Sequence, residues 1–291
     1  MGRSASHIAL ECGLATHPNM VLIAEEIAES KKTLQQITNQ IADLVCERAE
    51  MGKNFGVILI PEGLIEFIPE IGILIQELNH LLADSSIDNK EIVSRLTEDS
   101  QKSFISLPEK IQQQLLLNRD PHGNVQVSFI ETEKLLIETV SQELKRRLKD
   151  GKYKGKFSAL HHFLGYEGRA GFPSNFDCNY CYSLGYTAAL LITHKATGYM
   201  CCITGLTKNP IDWQVLGIPL TSLMNLEWRE GKKKPVIKKA LVDLYSKSFS
   251  FYKQHRNEWR LGDHYLCPGP IQFFGEKKLT DITSHSLSID V

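Results

Sequence analysis

Apolar residues recur along this chain with two different periods. In residues 4–16, Ile8, Cys12 and Ala15 fall on one helical face, and His17, Pro18 and Asn19 close the segment. Residues 20–23 are a short apolar run that suits a buried strand. Leu34, Ile37, Ile41, Leu44 and Val45 return to helical spacing, Gly52 is a stop signal, and residues 55–60 predict a second buried strand. Helix, strand, helix, strand is the order of an α/β sheet with parallel strands. Leu74, Leu78 and Leu81 predict a further helix. Residues 84–124 turn polar and rich in glutamine, which predicts an inserted run of short helices. Residues 132–149 form a long amphipathic pattern with Leu136, Val140, Leu144 and Leu148 on its apolar face. Lys145, Arg146, Arg147 and Lys149 crowd its last turns, where cations suit the helix dipole, and Gly151 ends it. After a turn-rich stretch at 165–175, residues 177–192 predict a helix and 199–203 a strand. Residues 235–245 predict a helix with Pro235 in its first turn.

These patterns divide the chain into the start of an α/β domain (1–83), a mainly helical insertion (84–130), the remainder of the α/β region (131–275) and a flexible polar tail (276–291). The most apolar stretch, residues 55–75, is broken by Pro61, Glu62, Glu66, Pro69 and Glu70, so it predicts no membrane span.

Composition narrows the function classes. With 33 basic and 34 acidic side chains the 291 residues carry a formal charge of −1, which argues against a binder of nucleic-acid backbones. The seven cysteines are an odd number in a chain large enough to fold without bridges, so free thiols in a reducing, cytoplasmic setting are expected. Cys178 and Cys181 form a lone C-x-x-C in a helical pattern, which reads as core packing. The basic run around Lys232, Lys233, Lys234, Lys238 and Lys239 reads as a solvated face.

Three polar segments stand out. Met1, Gly2 and Arg3 precede a helix N-terminus, where free N–H groups and an arginine could hold a phosphate, or where a frayed end is simply capped by Ser4. Glu62, in Pro61-Glu62-Gly63, follows a strand, where it could accept hydrogen bonds from sugar hydroxyls or cap the next helix. Tyr166, Glu167, Gly168 and Arg169 follow Gly165 in a loop that could approach a ligand closely, or be an ordinary glycine-rich turn.

Longer motifs join these segments. MGRSASHIALEC (1–12), THPN (16–19), KNFGVILIPEGLIEFIPE (53–70), GYEGRAGFPSNFD (165–177), KPVIKKALVDL (234–244) and PGPIQFFG (268–275) together resemble the phosphofructokinase family, most of all its long, pyrophosphate-dependent type. The resemblance runs from residue 1 to about 275. It implies an α/β, phosphofructokinase-like fold, with a parallel-sheet sugar-phosphate-binding domain, a helical insertion and an incomplete N-terminal side. It also implies that Met1, Gly2, Arg3, Glu62, Tyr166, Glu167, Gly168 and Arg169 bind fructose 6-phosphate.

The family's G-G-D loop for the phosphoryl donor and magnesium, and its P-K-T-x-D segment with the general-base aspartate, do not occur in these 291 residues. The resemblance therefore implies the acceptor-sugar portion of a glycolytic transferase. No catalytic residue and no Mg2+ ligand is assigned within the chain, and pyrophosphate would bind only with the other half. Such a portion is expected to be inactive alone and to work in a homo-oligomer or with a phosphofructokinase subunit. The alternative is a non-catalytic sugar-phosphate-binding or regulatory subunit, or a degenerate remnant. Neither nucleic acid nor membrane is an expected partner.

Overall fold

The computed structural model describes residues 5–83, 89–120, 123–165, 167, 171–229, 232–237, 239–269 and 274–291. Helix α1 (His7–Thr16) leads into strand β1 (Met20–Val21), helices α2 (Ala24–Glu29) and α3 (Leu34–Glu50), and strand β2 (Ile58–Leu59). β1 and β2 pair in parallel, Met20 opposite Ile58 and Val21 opposite Leu59. This is the expected strand–helix–strand crossover, with strands shorter than the apolar runs predict.

Local chemistry explains the crossover. α3 begins in a capping box: the Gln36 N–H donates to Thr33 Oγ1, and the Thr33 N–H donates to Gln36 Oε1. α1 ends at His17, a non-glycine residue in the left-handed region (φ 51°) whose ring stacks on Trp259 at 4.0 Å between centroids. The buried face of α1 carries Leu10, Gly13 and Leu14, not the Ile8, Cys12 and Ala15 face predicted. Gly13 sits where an added Cβ would come within 2.7 Å of Val21 Cγ2, so the helix approaches β1 closely.

After β2 come α4 (Leu64–Phe67), α5 (Pro69–Leu82), the short helices α6 (Asn89–Arg95), α7 (Glu98–Ser106) and α8 (Glu109–Leu117), and the long α9 (Thr132–Lys149). α3, α5 and α9 build the main core around Ile37, Ile41, Leu74, Leu78, Leu136, Val140 and Leu144, and Phe104, Ile111 and Leu115 of α7 and α8 join it. Leu148, the last position of the predicted apolar face, stays 53% exposed.

The remainder comprises α10 (Asn175–Thr193), an antiparallel hairpin of β3 (Tyr199–Thr204) and β4 (Gln214–Pro219), a second hairpin of β5 (Met224–Arg229) and β6 (Lys232–Ile237), then α11 (Lys247–Leu261), α12 (Lys277–Thr280) and α13 (His285–Asp290). The helix predicted over 235–245 is not formed. Its first residues belong to β6, with Pro235 opposite Leu226, and residues 239–243 are irregular. β6 has β5 as its one strand neighbour among the described residues, so Pro235 is tolerated there without an N–H to donate. Cys178 and Cys181 are half-buried and exposed, not core, because α10 buries little of its surface. The segment expected to be a flexible tail carries α12 and α13. α13 is tied to α1 by Glu11, which accepts the Ser286 N–H at 2.9 Å, and to α11 by Asp290, which accepts the Ser248 N–H at 2.7 Å. No described helix is long and apolar enough to cross a membrane.

Candidate functional site

β2, α1, α3, α9 and residues 156–165 surround a cavity of about 570 Å3, within the size range of small-molecule sites. Its inner wall is apolar, with Ile41, Leu44, Leu136 and Val140 from α3 and α9. Glu62 is among the lining residues. It stands in the link between β2 and α4, beyond the carboxyl end of β2, the side on which open α/β sheets place their ligands. Ala5 also lines the cavity, immediately after the first flagged segment, and Leu164 and Gly165 line it immediately before the third.

Of the residues singled out by sequence, Glu62 and Glu167 are described. Glu167 is exposed; its N–H donates to the Leu164 carbonyl at 2.9 Å, and its carboxylate stands 3.7 Å from His162 Nε2. Met1, Gly2, Arg3, Tyr166, Gly168 and Arg169 lie outside the described residues. The described ends of all three segments thus open on one cavity, although 160 residues separate Ala5 from Gly165.

One wall is braced by a polar network that the sequence did not reveal. Arg48, 2% exposed, donates from Nε to the Phe55 carbonyl at 3.0 Å, from Nη1 to the Leu261 and Gly262 carbonyls at 3.2 Å each, and from Nη2 to Asp263 at 2.7 Å. Lys53 reaches Asp263 at 2.9 Å and the Leu261 carbonyl at 3.1 Å. These cations satisfy carbonyls at the C-terminal end of α11, where the helix leaves acceptors unpaired and carries partial negative charge. The Arg48 hydrogen bond, followed by that of Lys53, holds the Asp263 carboxyl below its ordinary value. Asn19 completes the brace, donating to the Trp259 and Gly262 carbonyls at 3.1 Å and accepting the Val57 N–H at 2.9 Å and the Tyr265 hydroxyl. A Cβ on Gly56 would lie 3.0 Å from Asn19 Oδ1, so glycine lets the wall close on the network.

Deeper in the cavity, Tyr153 is 5% exposed and its hydroxyl is buried with no hydrogen-bond partner among the described residues. Burial pushes its phenol above the ordinary value. Among the described residues no group of three or more His, Cys, Asp or Glu side chains could hold a metal ion.

The phosphofructokinase family model matches residues 1–192 of this chain. The pyrophosphate–fructose 6-phosphate 1-phosphotransferase subunit beta 1 of Arabidopsis thaliana is 51% identical over 292 residues, covering all of this chain and 51% of the relative. The pyrophosphate–fructose 6-phosphate 1-phosphotransferase of Treponema pallidum is 48% identical over 300 residues, covering all of this chain and 52% of the relative. The subunit alpha of the Solanum tuberosum enzyme is 45% identical over 283 residues, 94% of this chain and 46% of the relative. The chain spans about half the length of the curated relatives it matches.

Proposed function

Because this chain belongs to the phosphofructokinase family, we propose that it is the fructose 6-phosphate-binding portion of a pyrophosphate-dependent 6-phosphofructokinase. The observation that carries this reading is the convergence of Ala5, Glu62 and Gly165 on one cavity, each in or beside a segment that resembles the family's sugar-phosphate contacts. In this reading Arg3 and Arg169 hold the 6-phosphate with their planar forks. Glu62 accepts hydrogen bonds from sugar hydroxyls, and Met1, Gly2 and the loop of Tyr166, Glu167 and Gly168 enclose the sugar.

The reaction forms a bond from the sugar's 1-oxygen to phosphorus and breaks the bridging P–O bond of diphosphate. Phosphate leaves, and the hydroxyl proton passes to a base. That base, the diphosphate contacts and the magnesium that neutralises charge in such transfers would belong to residues that do not occur among these 291. The chain then works in the cytoplasm with a polypeptide that supplies them, and it turns over no pyrophosphate alone.

Calorimetry with fructose 6-phosphate tests the sugar site. Binding that is lost in Arg169→Ala is expected; no heat of binding at millimolar sugar phosphate overturns the reading. Pyrophosphate-dependent turnover by the isolated chain would overturn the assignment of the base and donor contacts elsewhere.

A further inference from the structure

Glu25, the second residue of α2, is a charged side chain only 6% exposed. Its Oε1 accepts two backbone N–H groups, from Ser6 at 3.1 Å and from Val242 at 3.1 Å. Ser6 is fully buried and returns the contact, its Oγ accepting the Ala24 N–H at 2.8 Å. One carboxylate oxygen thus joins three parts of the chain: the lead-in to α1, the start of α2, and the irregular stretch between β6 and α11. That stretch runs across the helix ends as a strap. The ring of His7 meets the Ala240 carbonyl at 3.2 Å, Lys239 stands 3.7 Å from Glu66, and the Tyr245 hydroxyl reaches Glu29 at 3.3 Å.

A buried carboxylate is a costly way to satisfy two N–H groups, since a buried charge with no ion pair among the described residues carries a large desolvation penalty. The second oxygen, Oε2, is buried with no hydrogen-bond partner among the described residues. Coupling the two backbones at a fixed distance gives this arrangement a use. Ser6 follows Ala5, which lines the cavity, so the clasp holds the chain at the cavity's edge. The strap in turn touches Glu66, four residues beyond Glu62.

We infer that Glu25 is a positioning residue for the sugar-phosphate site. Its carboxylate clasps the α1 lead-in to the strap, and so fixes the backbone beside Ala5, which lines the cavity. This rests on the sugar-phosphate reading above. The clasp needs an acceptor at the reach of Oε1 and does not need the charge.

Three substitutions separate reach from charge. Glu25→Gln keeps the acceptor and removes the charge, Glu25→Asp keeps the charge and shortens the reach, and Glu25→Ala removes both. The expected result is that Glu25→Gln binds fructose 6-phosphate within about twofold of the unmodified chain, while Glu25→Asp and Glu25→Ala each weaken it about tenfold, the scale of leaving a buried N–H without its acceptor. Melting temperatures measured on the same samples supply the control. Affinity unchanged in Glu25→Ala, or affinity that merely follows melting temperature across the three variants, overturns the proposal.

Amide exchange gives a readout that does not depend on the sugar. In Glu25→Ala the Ser6 and Val242 amides should exchange faster together, and in Glu25→Gln neither should change. If the unmodified chain binds no fructose 6-phosphate, the sugar reading falls and the clasp is judged by exchange alone. Slow exchange at either amide in Glu25→Ala then overturns it.

Discussion

Ile37, Leu64, Leu74, Leu78, Ile92 and Leu115 are wholly excluded from solvent, whereas between residues 175 and 237 Ile203 is the one buried apolar side chain among the described residues. The two regions contain elements of equal regularity. α10 starts in its own capping box, with the Ser174 N–H donating to Asp177 at 2.8 Å, and both hairpins carry full antiparallel ladders. Yet Tyr182, Tyr186 and Ile192 of α10 are 69%, 60% and 77% exposed. The first region is held by burial. The second is held by caps, ladders and ring contacts such as Phe176 against Trp213 at 5.6 Å. Local bonding decides which element forms; burial decides how firmly it is held, since short helices and two-stranded hairpins are marginal alone.

The largest expected effect breaks the first region at its brace. Arg48→Ala removes a buried cation and leaves the α11 carbonyls and Asp263 without their main donor. Losing one partner of such a network costs about 3–5 kcal/mol. Urea unfolding followed by Trp259 fluorescence should register that loss, and a change below about 1 kcal/mol would show that Lys53 and Asn19 hold α11 without it.

A smaller effect sharpens the contrast directly. Leu74→Ala, at a site with no solvent exposure, should cost about 2–5 kcal/mol through lost transfer energy and the cavity left behind. Leu190→Ala on α10, 48% exposed before substitution, should stay within about 0.5 kcal/mol. Equal losses at the two positions would mean that the second region buries its apolar face in solution.

The same contrast explains what was legible in the sequence. α3 and α9 were readable because one buried stripe repeats at helical spacing and a glycine, Gly52 or Gly151, follows each. The 235–245 segment has a comparable stripe, but Val236 and Ile237 pair with β5, and Lys232 to Lys234 add a strand that their charge concealed. Cys178 and Cys181 looked like core positions because pattern alone cannot tell a buried helix face from an exposed one. At the site, Glu62 was legible because a strand end followed by P-E-G is a local signal. Arg48, Asn19 and Glu25 were not, since their decisive partners lie more than 200 residues away in sequence.

The smallest effect concerns acid and falls wholly within the first region. Glu143 on α9 is 7% exposed and accepts Arg146 Nη2 and Arg147 Nε at 2.7 Å each, while Arg147 reaches Asp43 of α3 at 2.6 Å. The Arg146 hydrogen bonds, outweighing burial and helped by Arg147, hold the Glu143 carboxyl down to about 2 from an ordinary 4.5. Between those values the unfolded chain binds a proton that the folded chain does not, so the contribution is complete above 4.5 and is lost as pH falls toward 2. Because Arg146 is 60% exposed, solvent screening limits this to about 1 kcal/mol or less. Glu143→Gln should therefore lower the urea midpoint slightly near neutral pH and flatten its decline below pH 4.5. Unmodified and Glu143→Gln chains with parallel declines would mean that the α3–α9 contact does not depend on this carboxylate.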